Sequence, residues 1–590
     1  MKKILFLLLL FPLSFFSQVL SYNPNPFEVN QQVTITVDIA SDETNCNSIN
    51  NPSSVYMHSG IGDDNSPWGF SVIGNWGQDD GVGQMSDNGD GTWSITITPS
   101  DYFNLDTNQS SLATRMGLVF RNEDGTQELK DDGCSDFFIN VGAFQVDLIN
   151  PDSSGIILVE NNGGTQILAQ NTNGNADYEL YANGELVDSQ TNTNFYNGYL
   201  FSNLNENQYC ELYISQGEST IIKKFTILVD NTTVQSIPSN LEDGINYSDD
   251  NTKITLVLSA PNKDFIYVSG NFNFWSPDSE YAMKKDSDSE RFWLEIQDLT
   301  PGELYTYQYW VADIVPIEDS PNLVKTADPF STMVLSPFDD PWIPEESYPN
   351  LPEYPYEFGI EREITAFQTG LQDYNWQVDN FEKPNEEDLV IYEVLIRDFD
   401  SERTFQNLID RIDYFKQLNI NAIELMPIME YEGNESWGYN TAFHMSVDKF
   451  YGPEEKLKEF IDLCHQNGIA VILDLVMNHV MGRSPMNRMW MNDPDKNGWG
   501  EPSEENPYFN EIATHTYGLG NDFNHQSTYT QYYTQRVIKH WIENFKIDGI
   551  RWDLTKGFTQ NCNTQDENCT NSYQQDRVDI LKSYADYSWS

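Results

Sequence analysis

Two hydrophobic periods divide the chain. Up to about residue 345, apolar and polar positions alternate in short runs between Gly, Asn and Asp turns. Val33-Thr-Ile-Thr-Val-Asp-Ile39 is one such run, and Trp93-Ser-Ile-Thr-Ile-Thr98, after the Asn88-Gly-Asp-Gly91 turn, is another. Alternation at period two predicts half-buried strands, and many short strands predict β-sandwiches. Three such modules are expected, over 19–145, 146–240 and 241–345. The second is Asn-rich and without motifs, as an immunoglobulin-like spacer would be. The third carries Phe265-Ile-Tyr-Val-Ser-Gly270 and Tyr305-Thr-Tyr-Gln-Tyr-Trp310 as strands. Residues 346–388 are rich in Pro, Glu and Tyr, lack a period, and read as a linker.

From Leu389 the pattern becomes strand, helix, strand, helix. Leu389–Leu395, Ala422–Met426, Ile469–Leu475 and Ile547–Leu554 read as strands. Between them, Phe405, Leu408, Ile409, Ile412 and Phe415 lie on one helical face, as do Leu457, Phe460, Ile461 and Cys464, and Val537, Ile538, Trp541, Ile542 and Phe545. A fourth helix is expected at about Gln574–Tyr587. The fold class predicted is multidomain: N-terminal β-sandwich modules, then the first half of a (β/α)8 TIM barrel over 389–590, interrupted by an irregular insertion at about 481–528.

Composition narrows the partners. The 590 residues carry a net charge of −59, spread along the chain, which disfavours nucleic acid and anionic membranes. Residues 1–18 combine a basic start, an apolar run and a polar end, and predict a secretory signal peptide and export to the periplasm, cell surface or medium. No Cys follows closely, and no other run suggests insertion in a membrane. An exported chain permits disulfides. Cys46 with Cys134 and Cys562 with Cys569 are the expected pairs, with Cys210 and Cys464 as buried thiols. Trp68, Trp76, Trp93 and Tyr102 of the first module are either core or a sugar-stacking face of a carbohydrate-binding module. Trp93 alternates with Ile95 and Ile97 and reads as core, whereas Trp76 sits in a Gly/Asp-rich loop.

The chemistry concentrates at strand ends. Arg551 and Asp553 are two residues apart on the fourth strand and therefore share a face. A guanidinium beside a carboxylate is either a structural ion pair or the setting of a carboxylate nucleophile. The third strand, Val471-Ile-Leu-Asp474-Leu-Val-Met-Asn478-His479, also ends in polar groups. Asp474-x-x-x-Asn478-His479 and Gly549-x-Arg551-x-Asp553-x-x-Lys556 resemble the first two conserved regions of the alpha-amylase family, glycoside hydrolase family 13. Trp437-Gly-Tyr439 is similar to that family's loop after its second strand, and Gly520-Asn-Asp522-Phe-Asn524 to the end of its inserted domain B. The third module resembles the family's N-terminal β-sandwich, which implies docking rather than sugar binding for Trp275.

The resemblance implies a secreted retaining enzyme acting on α-1,4/α-1,6-glucans. Asp553 would be the nucleophile, Arg551 would orient it, and His479 would bond sugar hydroxyls. Tyr439 would stack on the sugar, with Lys556, Trp437 and Asp474 completing the substrate-binding set and Asp474 also tying the third strand to Arg551. Asn478 and Asp522 match positions that hold a structural Ca²⁺ in many members. Gly557 departs from the His that the family often has there. The family's general acid/base Glu follows a fifth strand, which residues up to Ser590 do not reach, so the resemblance implies a longer enzyme. Branching or debranching transglycosylation, and a non-catalytic glucan-binding protein, are the alternatives.

Overall fold

The computed structural model describes residues 19–39, 48–131, 134–152, 154–217 and 219–590. The expected signal segment and Cys46 lie outside these residues. The chain divides into two compact units, 1–229 and 230–590.

The first unit holds two apolar cores. One is enclosed by a sheet ordered Leu20–Asn23, Val33–Asp38, Thr92–Ile97, Ser86–Asp87 and by another ordered Ser71–Ile73, Val55–Gly62, Arg115–Asn122, Glu128–Leu129. Alternation decides which side chains enter it: Val33, Ile35 and Val37 are fully buried while Thr34, Thr36 and Asp38 are not. Trp93 belongs to this core and Trp76 is exposed. The second core lies between a three-stranded and a five-stranded sheet, with Tyr178 stacked on Tyr196 at 5.2 Å. Cys210 is buried in it as a free thiol.

The second unit begins with two more sheets. Ile254–Ser259 and Arg291–Ile296 are central in one, Phe265–Gly270 and Leu304–Ala312 in the other. Two sequence expectations need correction here. Residues 230–240 belong with this unit, where Val234 bridges Lys285. The stretch read as a linker contains the strand Ile364–Gln368, which pairs with Leu304–Tyr307 and with Val334–Leu335. Four of its five residues are buried, so it has no alternation to betray it. Trp275 is buried against Leu335, Tyr354 and Ile364 rather than facing solvent.

Four parallel strands follow: β1 (Ile391–Val394), β2 (Ala422–Leu425), β3 (Ala470–Leu475) and β4 (Gly549–Trp552), adjacent in that order. Helices α1 (Phe405–Asp410) and α2 (Ile412–Gln417) connect the first two strands. Helix α3 (Glu454–Gln466) connects β2 to β3, and α4 (Thr528–Phe545) leads into β4. Helix α5 (Gln575–Trp589) follows. Pro453 and two glutamates open α3, where the missing N–H and the helix dipole favour them. Leu457, Phe460, Ile461 and Cys464 of α3 and Val537, Ile538 and Trp541 of α4 are buried, one face each. Parallel strands buried by helices are apolar throughout; β3 is, except for Asp474.

The third sandwich and the βα region share one core, in which Phe330 meets Tyr533 edge-on at 5.3 Å. Residues 481–527 form an irregular excursion with a one-turn helix at Pro485–Arg488 and two short bridged pairs. Cys562 and Cys569 form a disulfide, and Cys464 is a buried free thiol. No helix among the described residues is long and apolar enough to cross a membrane.

Candidate active site

Strands β3 and β4 bring the site together. Asp474 pairs in register with Arg551, near the C-terminal ends of both strands. Arg551 Nη1 donates to both carboxylate oxygens of Asp474, at 2.8 and 2.9 Å, and to Asp553 Oδ1 at 2.8 Å. One guanidinium thus joins a fully buried carboxylate to a half-buried one. Burial works against its charge, but the bonds and charges of Asp474 and Asp553 hold its pKa above the ordinary arginine value. Burial pushes the Asp474 carboxyl above the usual carboxylate value, and the Tyr439 hydroxyl and Arg551 offset this only in part. Asp553 stands one residue beyond β4, before Leu554, whose φ of +44° turns the chain sharply into the Thr555–Phe558 turn.

The Trp437-Gly-Tyr439 loop closes one side. Tyr439 donates its hydroxyl to Asp474 Oδ2 at 2.7 Å, and burial, then this contact, raises its pKa. Gly438 is required there: its φ is +88°, and a Cβ would lie 2.4 Å from the Pro427 carbonyl oxygen. Trp437 is 56% exposed, unlike its neighbours. His479 is buried, and both ring nitrogens are in use. Nε2 donates to the Tyr439 carbonyl at 2.8 Å, and Nδ1 accepts from Asn478 Nδ2 at 3.2 Å. Burial lowers its pKa, so the ring is neutral. His479 therefore holds the backbone that carries Tyr439.

Lys556 lies on the turn after β4. Its ammonium donates to Asn571 Oδ1 at 2.6 Å and lies 5.5 Å from the Tyr517 ring centre. Asn571 closes the short helix Glu567–Asn571, tethered by the Cys562–Cys569 disulfide. The sequence reading missed Asn571 and Tyr517, which nothing in the local pattern marks. It also missed Glu424 on β2, whose carboxyl is raised by burial and then by the negative charges of Asp474 and Glu393. A lone Glu inside the apolar Ala-Ile-Glu-Leu strand was the available signal.

Asn478 and Asp522 are the expected calcium ligands, and the Asp522 carboxylate is already engaged. Asp522 Oδ1 accepts from His515 Nε2 at 2.7 Å, and Oδ2 from Asn510 Nδ2 at 2.7 Å. Asn478 Oδ1 is buried without a hydrogen bond. A Cβ on Gly557 would meet that oxygen at 1.7 Å and His515 Nε2 at 2.7 Å, so the glycine backbone fills the space between them. Calcium takes six to eight oxygens. Here the only charged oxygens are spent on N–H donors, and an imidazole nitrogen stands among them. No group of three or more His, Cys, Asp or Glu residues able to hold a metal ion occurs among the described residues. The residues present do not fit Ca²⁺.

Residues 381–511 match the family model "Alpha amylase, catalytic domain". The malto-oligosyltrehalose trehalohydrolase of Saccharolobus solfataricus is 33% identical over 190 residues, 32% of this chain and 31% of that protein. A 1,4-alpha-glucan branching enzyme of Halothermothrix orenii is 27% identical over 320 residues, 51% of this chain and 43% of that protein. The chain thus spans less than half the length of these curated relatives. Among solved structures, the Group B Streptococcus pullulanase SAP aligns at 17% identity and a TM-score of 0.39, covering 75% of this chain and 56% of that one. The matched residues carry β1 to β3 and the start of the excursion after them, and over that segment the chain is similar to the alpha-amylase catalytic domain.

Proposed function

We propose that the C-terminal region supplies the nucleophile side of a retaining α-glucan-cleaving or glucan-transferring site, built on half of a (β/α)8 barrel. The observation that carries this reading is the Arg551 guanidinium bridging Asp474 and Asp553 at the end of β4. Arg551 fixes Asp553 through Oδ1 and leaves Oδ2 to attack the anomeric carbon. Tyr439, anchored on Asp474 and by His479, packs against the sugar, and Trp437 extends an aromatic surface beside it. Lys556 donates to hydroxyls on the leaving side. The substrate class follows the relatives, whose names cover 1,4-alpha-glucan branching and malto-oligosyltrehalose hydrolysis. Export of the protein is part of this proposal.

The proton for the leaving oxygen must come from a carboxylic acid about 5–5.5 Å from the nucleophile. Three of the carboxylates after Asp553 are engaged elsewhere. Asp566 caps a helix through Cys569 N, Asp576 accepts from Thr559 and Gln560, and Asp579 accepts from Gln575. The test must therefore not depend on an acid. A 5-fluoro-α-maltosyl fluoride serves, because fluoride departs unprotonated: the C1–F bond breaks as C1–O(Asp553) forms. Mass spectrometry of a digest should find one adduct, on the peptide holding Asp553, and none in Asp553→Asn. Labelling elsewhere, or no labelling, would refute the assignment.

A further inference from the structure

The first sandwich carries a second aromatic site, far in sequence from the catalytic motifs. On the sheet that includes Val55–Gly62 and Arg115–Asn122, Gly60 and Gly117 are cross-strand partners. The indole of Trp68 lies across both: a Cβ on either glycine would come within 2.4 Å of its ring. The pair is glycine so that the ring can lie flat on the sheet. His58, two residues before Gly60, stacks near Trp68 (5.6 Å, 29°) and meets Trp76 edge-on (5.6 Å, 85°). Burial, then the Arg121 charge, lowers the His58 pKa, so this ring joins the indoles as a neutral surface. Trp76 is 46% exposed.

The loop holding Trp76 is fixed from below. Arg121 is fully buried, and its Nη2 donates to the carbonyls of Asn75 and Gln78 at 2.6 and 2.8 Å. Its Nη1 donates to the Asn122 carbonyl at 2.9 Å, and the guanidinium lies over the Tyr56 ring. A buried cation spent on backbone carbonyls of the loop holds Trp76 in place before any ligand arrives, which lowers the entropy cost of binding. The rings border a hollow of about 350 Å³. Its polar rim is Lys130, with Asp136 at 3.6 Å and Glu128 at 4.0 Å.

We infer that this hollow is a binding site for a neutral α-glucan chain, separate from the Asp553 site. Exposed indole faces take the apolar face of a hexose, while carboxylates accept from its hydroxyls and the ammonium donates to its oxygens. A polyanion is disfavoured by the net charge of −59. The two indoles meet His58 in different planes and so form a corner, not a flat strip. A corner suits a chain whose successive rings tilt, as α-1,4 linkages make them, better than a flat β-1,4 ribbon. The choice of α-glucan also rests on the function proposed for the C-terminal region.

The test uses the whole chain, by retardation in glycogen-containing native gels and by tryptophan fluorescence titration with maltoheptaose. Trp76→Ala should weaken glycogen binding at least ~10-fold, the loss expected of a central aromatic anchor. Asp136→Asn should weaken it severalfold, and Trp76→Phe should largely restore it. Tyr439→Ala reports the other site independently. Glycogen binding unchanged in Trp76→Ala and abolished in Tyr439→Ala would overturn the proposal. Retention of a mixed-linkage β-glucan but not glycogen, lost in Trp76→Ala, would overturn the α-glucan assignment. Labelling of Asp553 by the fluoride does not involve Trp76, so the two readings fail separately.

Discussion

Gly557→Ala puts one methyl into the most crowded point near the candidate site. The new carbon would stand 1.7 Å from Asn478 Oδ1, where ordinary contact needs about 3.5 Å. Either the turn after β4 or the Asn478 amide must move by more than an ångström. Asn478 is 1% exposed and donates to His479 Nδ1, so moving it breaks that bond. Overpacking costs about 1–3 kcal/mol and the hydrogen bond about 1. Alanine also stiffens the unfolded chain, which returns about 0.5 kcal/mol. The net expectation is a loss of about 1.5–3.5 kcal/mol, read as a lowered urea midpoint for the 230–590 unit. Asn478→Ala removes the obstructing oxygen, so the double mutant should be more stable than the sum of the single effects by about 2 kcal/mol. An unchanged midpoint in Gly557→Ala, or strictly additive effects, would refute the packing described here.

Two further outcomes follow from the same region. Exhaustive chelation should leave the melting temperature of the whole chain unchanged, because His515 and Asn510 already satisfy Asp522; a fall on chelation, reversed by calcium, would contradict this. His444 is fully buried, donates to the Val476 carbonyl at 2.7 Å, and has its pKa lowered by burial to about 4. The unfolded state therefore takes up its proton near pH 6.5 and the folded state only near 4, so its contribution is intact above 6.5 and lost as pH falls through that window. The destabilisation caused by His444→Gln should shrink by about 3 kcal/mol between pH 7 and pH 4, and a gap independent of pH in urea titrations would count against it.

The sequence made the regular elements readable where one period ran long enough. The apolar faces of α3 and α4 and the alternation of Val33, Ile35 and Val37 are examples. The Arg551–Asp553 contact was readable too, because two residues on one strand need no knowledge of the rest of the fold. What crossed the chain was not. The Ile364–Gln368 strand has too few residues to show a period. The partner of Lys556 is 15 residues away, and the His515–Asp522 contact closes inside an irregular loop. His479 carries the expected motif, yet its neutral ring bonds a backbone carbonyl, a fact decided by the fold of the Tyr439 loop.

The shared core of the second unit also sets the order in which a ribosome can finish it. Asp243 is buried, and beyond its nearby contacts with Ser259 and Arg291 its carbonyl accepts from Arg536, 293 residues later. Trp490 likewise donates to the Pro261 carbonyl, 229 residues back. At about 5–20 residues per second, the stretch from Phe330 to Tyr533 of α4 takes roughly 10–40 s to emerge. Throughout that interval Phe330, which α4 later covers with Tyr532 and Tyr533, faces water. A nascent chain that shows an aromatic face for so long is a client for holdase chaperones, and slowing translation between residues 330 and 530 should lower the yield of folded protein more than slowing it anywhere in the first unit.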